Sequence, residues 1–251
     1  MKSPIKLFFL GLIISFFYFP LNAQTAYEII KKAEDNARGQ QAYGEMKMTI
    51  ERPKWTREII MKTWTKGDDY SLVVVTSPAR DKGTAFLKRD KEIWNWQPSI
   101  DRSIKMPPSM MMQSWMGSDF TNDDLVKQSS MTTDFTHELI GKEVVDGRNC
   151  YVIEMIPKPD AAVVWGKIKM WVDDKDFLEL KVEFYDEDDY LVNTMYGKNI
   201  MTLGGRTLPT KLELIPADKP NQKTIVEQLA IDFDVEVSDD FFSVQNLKRV
   251  K

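Results

Sequence analysis

The chain has 251 residues, with 34 Lys and Arg against 38 Asp and Glu and a formal net charge of −4. That balance gives no basic footprint for nucleic acid. One cysteine, Cys150, and one histidine, His137, exclude an internal disulfide, a Cys-based zinc or iron–sulfur site and any multi-histidine metal site. A hydrophobic content of 43% supports a packed core, and the excesses are 14 Met and 7 Trp.

In chain order, Lys2 and Lys6 precede an apolar run from Leu7 to Phe19, then Pro20 and Leu21-Asn22-Ala23. This pattern predicts a secretory signal peptide over residues 1–23, cut between Ala23 and Gln24. Residues 24–251 then form a single domain of an exported protein. From Thr25 to Ala37, Ile29, Ile30 and Ala33 at helical spacing predict an amphipathic helix ended by Gly39.

The period then changes to two. Met46, Met48 and Ile50 alternate with Glu45, Lys47 and Thr49, and Ile59 and Met61 recur in the next segment. Strands are predicted at 45–50, 55–64, 70–76, 83–88, 92–97 and 102–106. Trp94 and Trp96 share one face of the fifth, and the alternation predicts that they join Met48 and Met61 on the concave side. Residues 108–129 break the β pattern. Met112, Trp115, Met116 and Phe120 recur at helical spacing after Pro107-Pro108, which predicts a helical lid over 108–120. Asp123 to Val126 reads as a second short helix. Further strands are predicted at 135–145, 149–156, 163–173, 177–186, 190–202, 206–216 and 223–234. Leu178, Leu180, Val182 and Phe184 alternate there with Glu179, Lys181 and Glu183.

So many antiparallel strands must curl. The expected fold is α+β, mostly β: an incomplete, half-closed antiparallel barrel laid out as one meander, with helices covering its concave side. No catalytic motif is present, no cofactor is expected, and the acidic turns at 173–176 and 186–189 read as solvated hairpin turns. His137 reads as a structural strand histidine and Cys150 as a buried one. Four Met within residues 110–116 cannot all face one core from a helix, so a second apolar environment is expected, such as a cavity for acyl chains.

Gly83-Thr84-Ala85-Phe86-Leu87, Ile93-Trp94 and the block Met116-Gly117-Ser118-Asp119-Phe120 with its continuation to Leu125 resemble the outer-membrane lipoprotein-sorting protein family. That family is related to the periplasmic lipoprotein carrier LolA. Gly147-Arg148-Asn149-Cys150-Tyr151, Leu208-Pro209-Thr210-Lys211 and the ending from Asp239 to Leu247 agree. The resemblance implies a half-barrel enclosing a hydrophobic cavity in the periplasm of a Gram-negative bacterium, and no enzymatic activity. It implies acyl chains of lipoproteins or lipids as cargo, an inner-membrane lipid exporter as a possible donor and an outer-membrane acceptor. The expected lipid-binding residues are Met46, Met48, Ile50, Ile59, Met61, Trp94, Trp96, Met112, Trp115, Met116 and Phe120. The competing expectation is a non-enzymatic envelope interaction or adhesion protein, using Trp171 and Tyr185 as exposed aromatics.

Overall fold

The computed structural model describes residues 24–90, 92–127, 131–161, 163–233 and 235–250. The proposed signal peptide, residues 1–23, lies outside the described residues. The first element is helix α1 (Ala26–Arg38). Thr25 caps it reciprocally with Glu28: the Glu28 N–H donates to Thr25 Oγ1 at 3.2 Å, and the Thr25 N–H donates to Glu28 Oε2 at 2.9 Å. At the other end Arg206 Nη1 donates to the Asp35 carbonyl at 2.7 Å, a cation on the negative end of the helix.

Among the described residues thirteen strands follow: β1 (Gln41–Arg52), β2 (Trp55–Lys66), β3 (Tyr70–Ser77), β4 (Ala85–Arg89), β5 (Glu92–Gln97) and β6 (Arg102–Lys105), then β7 (Phe135–Val145), β8 (Arg148–Pro157), β9 (Lys167–Asp173), β10 (Glu179–Tyr185), β11 (Leu191–Leu203), β12 (Arg206–Pro216) and β13 (Lys223–Asp232). All lie in one antiparallel sheet, ordered β6-β5-β4-β3-β2-β1-β13-β12-β11-β10-β9-β8-β7. The sheet is open, with β6 and β7 as its edges, as expected of a half-barrel. The order corrects the single meander expected from sequence. Two meanders, β1–β6 and β7–β13, meet at a β1–β13 seam that pairs Met48 with Val226. Alternation reveals where strands are, and the partner of the first strand is a long-range choice that it does not encode.

This topology places the crossing segment. The chain leaves the sheet at edge strand β6 and re-enters at the opposite edge, β7, and the crossing segment between them is described over residues 106–127 and 131–134. α1 packs on the inner face against β7, β9 and β12. Its Ile29, Ile30 and Ala33 join Ile153, Met155, Ile168, Met170 and Phe184 in the main core.

The sheet is apolar on both faces. Register makes this explicit: Met61 faces Val75, and Val73 faces Phe86, which faces Asn95, on the inner side. The residues between them, Trp64, Leu72, Leu87 and Trp94, pair with one another on the outer side. There they pack with Trp96 against Phe241, Phe242 and Leu247 of the C-terminal segment. In the other half Cys150, Val152, Trp171, Leu178 and Leu180 form a smaller outer cluster. No helix among the described residues is long and apolar enough to cross a membrane.

Candidate functional site

The inner face of the sheet and the crossing segment line a half-open cavity of about 150 Å³. β1 and β2 contribute Met46, Met48 and Met61; β7, β9, β10 and β11 contribute Phe135, Ile168, Phe184 and Met195. The crossing segment closes it with Trp115, Phe120 and Met131, and Trp165 closes it from the β8–β9 connection. Met is unbranched and polarizable, so this lining can repack around guests of different shape.

The crossing segment is not the helix predicted over 108–120. It has two single turns, Pro108–Met110 and Trp115–Gly117, a bridge between Ser114 and Thr121, and then helix α2 (Asn122–Lys127). Met116 has φ 50° and Gly117 φ 81°, both left-handed, so a regular helix cannot pass through them. Trp115 and Phe120 reach the cavity without the helix that was expected to place them. Met112 does not: it is 61% exposed. Met116 packs half-buried beside Met48, Ile50, Ile59 and Met61.

Two arginines hold this segment down. Arg52 on β1 donates through Nη1 and Nη2 to both oxygens of Asp119, at 3.0 Å each, and through Nη2 to the Gly117 carbonyl at 3.1 Å. The pair is largely but not fully buried, and Asp119 also accepts from Thr224 Oγ1 at 2.7 Å. Arg57 on β2 donates to the Met116 carbonyl at 3.1 Å and to Asp81 at 2.6 Å. Both ends of the Met-Gly-Ser-Asp-Phe block are therefore tied to the rim of the sheet. Thr121 and Asp124 cap α2 reciprocally, which turns the Asp124 carboxylate towards the cavity. There it accepts from Trp165 Nε1 at 2.8 Å, and burial raises its pKa.

Of the eleven residues expected to bind lipid, Met46, Met48, Met61, Trp115 and Phe120 line the cavity. Ile50, Ile59 and Met116 pack directly behind it in the same cluster. Trp94 and Trp96 do not share the concave face with Met48 and Met61: they lie on the outer face under the C-terminal segment. Their polar neighbour Asn95 caused the misreading, because it is buried inside and satisfied by the Ala85 carbonyl and Gln97.

Cavity residues that the sequence did not single out include Glu179, Asp124, Asn193, Phe135, Trp165 and Met195. Alternation alone puts Glu179 on the face opposite Leu178, Leu180, Val182 and Phe184. A bulge between Glu179 and Lys181 breaks that parity. Val182 and Phe184 enter the main core, Leu178 and Leu180 go outside, and Glu179 turns in. Gly197 on the next strand permits the bulge, since a Cβ there would sit 2.2 Å from the Glu179 carbonyl oxygen. Burial pushes Glu179 up to about 7.

The remaining sequence candidates are structural. His137 Nε2 lies 2.8 Å from the Met131 carbonyl, which can only accept, and its ring meets Tyr27 edge-on. Burial pushes the Cys150 thiol up to about 11, which makes it a poor nucleophile. Asp173 and Asp186 each accept two backbone N–H groups of their own turns. Trp171 is not an exposed aromatic: it is 5% exposed, donates to Glu143 at 2.8 Å and lies under Lys181. Among the described residues no group of three or more His, Cys, Asp and Glu is placed to hold a metal ion.

A family model described as "Uncharacterized protein" matches residues 67–249. No curated protein matches the chain. Solved structures that share its architecture include the following. A DUF1329 family protein from Desulfovibrio piger is 25% identical, with a TM-score of 0.81 over 88% of this chain and 97% of that one. A LolA superfamily protein from Nitrosomonas europaea is 24% identical, with a TM-score of 0.77 over 89% and 99%. An outer-membrane lipoprotein-sorting protein domain from Vibrio parahaemolyticus is 20% identical, with a TM-score of 0.78 over 89% and 98%. The chain belongs to the family of uncharacterized proteins whose model spans residues 67–249, and its fold is the one found in the LolA superfamily and in outer-membrane lipoprotein-sorting proteins.

Proposed function

We propose that the protein is a periplasmic carrier that binds acyl chains of lipoproteins or lipids in the cavity and helps transfer them toward the outer membrane. The observation that carries this is a Met-, Trp- and Phe-lined cavity closed by a segment tied down by a few polar contacts. In a packed interior, 150 Å³ takes a guest of about benzene size. An acyl chain needs more room, and on this reading the crossing segment lifts to admit it. Each methylene moved from water into the cavity contributes about 0.8 kcal/mol, so a single chain has ample driving force to hold the open form. Release then follows when an acceptor binds the chain better, or when the segment lifts without one.

Two structural relatives, a LolA superfamily protein and an outer-membrane lipoprotein-sorting domain, support this reading. The same reading makes residues 1–23 a signal peptide, residues 24–251 a single carrier-like domain, and the working partners an inner-membrane lipid exporter and an outer-membrane acceptor. It assigns no catalytic step to the chain. The test is organic extraction of protein purified from the periplasm, followed by mass spectrometry. We expect co-purifying acyl lipid. Protein that yields none, and that takes up no acyl ligand from solution, would falsify the carrier role.

A further inference from the structure

We infer that the cavity selects acyl chains whose polar end carries a carbonyl and neutral or cationic hydrogen-bond donors, and turns away chains that end in an anion. This inference rests on the carrier reading and specifies its ligand. The charged groups on the cavity wall are all acidic. Asp123, Asp124 and Glu179 are carboxyls, Asn193 is an amide, and no Lys, Arg or His is among the lining residues. Behind Glu179 stands a further carboxyl, Glu34 of α1, and Arg38 at the end of α1 is the cation that acts on both. Such a wall can accept from a hydroxyl or an amine. A carboxylate or phosphate brought there would face like charges with no cation on the wall to pair with, in a medium that screens poorly.

A second observation is independent of the carboxyls. Trp115 is 3% exposed and stands on the cavity wall, and its buried indole N–H has no hydrogen-bond partner. Indole is only a donor, so its complement is an acceptor. A buried donor left unmatched is costly, and a guest carbonyl that the ring turns to meet recovers that cost. The ester or amide carbonyl of an acyl group fits, with donors beyond it reaching the carboxyls. The raised pKa of Asp124 and the value of about 7 for Glu179 agree with a wall that resists gaining negative charge.

The experiment measures displacement of the fluorescent probe N-phenyl-1-naphthylamine from the purified protein. Competitors of equal chain length are monoolein, oleylamine and oleate, below their aggregation limits and at mildly alkaline pH. We expect oleate to need at least about tenfold more ligand than monoolein or oleylamine. Glu179→Gln and Asp124→Asn should narrow that gap. Trp115→Phe should weaken monoolein about fivefold and leave oleylamine unchanged, since only monoolein offers a carbonyl. Oleate competing as well as monoolein against the unmodified protein overturns the inference, and that comparison needs no variant to fold. Folded carboxyl variants that keep the full gap also overturn it. If none of the three competes, the carrier reading falls with it; if all compete equally, the carrier reading stands and only the selectivity is lost.

Discussion

Glu34 is 9% exposed, and its Oε1 has no hydrogen-bond partner. Burial first, and the Glu179 charge next, push its carboxyl up from 4.5 to about 8. A carboxyl raised by folding holds a proton in the native state that the unfolded chain has lost. Its contribution to stability is therefore complete below pH 4.5 and is lost as pH rises through about 8. Glu213 has the opposite sign. Hydrogen bonding from Lys198, opposed by burial and reinforced by Lys211, takes it down to about 2. Its contribution is present above 4.5 and lost as pH falls through 2. We expect urea denaturation over a pH series to give a maximum on the acid side of neutrality, and Glu34→Gln to flatten the alkaline limb by on the order of 3 kcal/mol. An unmodified protein whose stability rises steadily from pH 4.5 to 8 contradicts this. Glu179, which acts on Glu34, was illegible in the sequence for a physical reason. Strict alternation puts Glu179 outside, and only the bulge beside it, one extra residue in the ladder, turns it in. Met46, Met48 and Met61 were legible because no bulge separates Met46, Met48 and Ile50 within the β1–β2 ladder.

The crossing segment is where element-level reading was right about position and wrong about form. Its Met-rich composition and the Pro107-Pro108 entry mark a break in the β pattern, and the break does cover the cavity. The spacing of Met112, Trp115, Met116 and Phe120 suggested a helix, but left-handed Met116 and Gly117 turn the chain instead. What fastens the segment is polar and long-range, Arg52 to Asp119, a pairing across 67 residues that no local pattern shows. Removing Arg52 leaves a buried Asp119 without its cation, and losses of about 3–5 kcal/mol are usual for such a change. Because the contact ties segment to rim, that loss should appear as local opening. We expect Arg52→Ala to speed probe entry and to raise hydrogen exchange over 106–127, with the core strands still protected. Uniform deprotection of the whole sheet would mean that Arg52 is only a stability residue. The converse experiment closes the lid. Asp119 N lies 3.0 Å from Thr224 Oγ1, so the two residues are in contact, and a cysteine pair replacing them in a Cys150→Ser background tests closure. Oxidation should stop cargo exchange and reduction should restore it. Unchanged exchange through a verified bridge would leave the segment a fixed wall.

At the scale of the whole molecule, the sheet divides its work between two faces. The strand boundaries were legible almost throughout, because each strand has its own alternation and its own turn. The second apolar face was not, since a strand buried on both sides loses the contrast that alternation depends on, as Ile93, Trp94, Asn95 and Trp96 illustrate. The consequence is a protein whose stability and cavity can be perturbed separately. Phe242 is fully buried and locks the C-terminal segment onto Leu72, Leu87 and Trp96, on the face away from the cavity. Phe184 is buried in the main core and also lines the cavity. Truncating either to Ala deletes a buried ring and should cost about 3–5 kcal/mol in unfolding free energy. Only one should change binding. We expect Phe242→Ala to keep acyl-ligand affinity of the folded protein within about twofold, and Phe184→Ala to alter it by tenfold or more in either direction, as cavity volume is gained and ring contacts are lost. Equal effects on binding from the two truncations would show that the faces are coupled, and that the outer core helps to set the shape of the inner one.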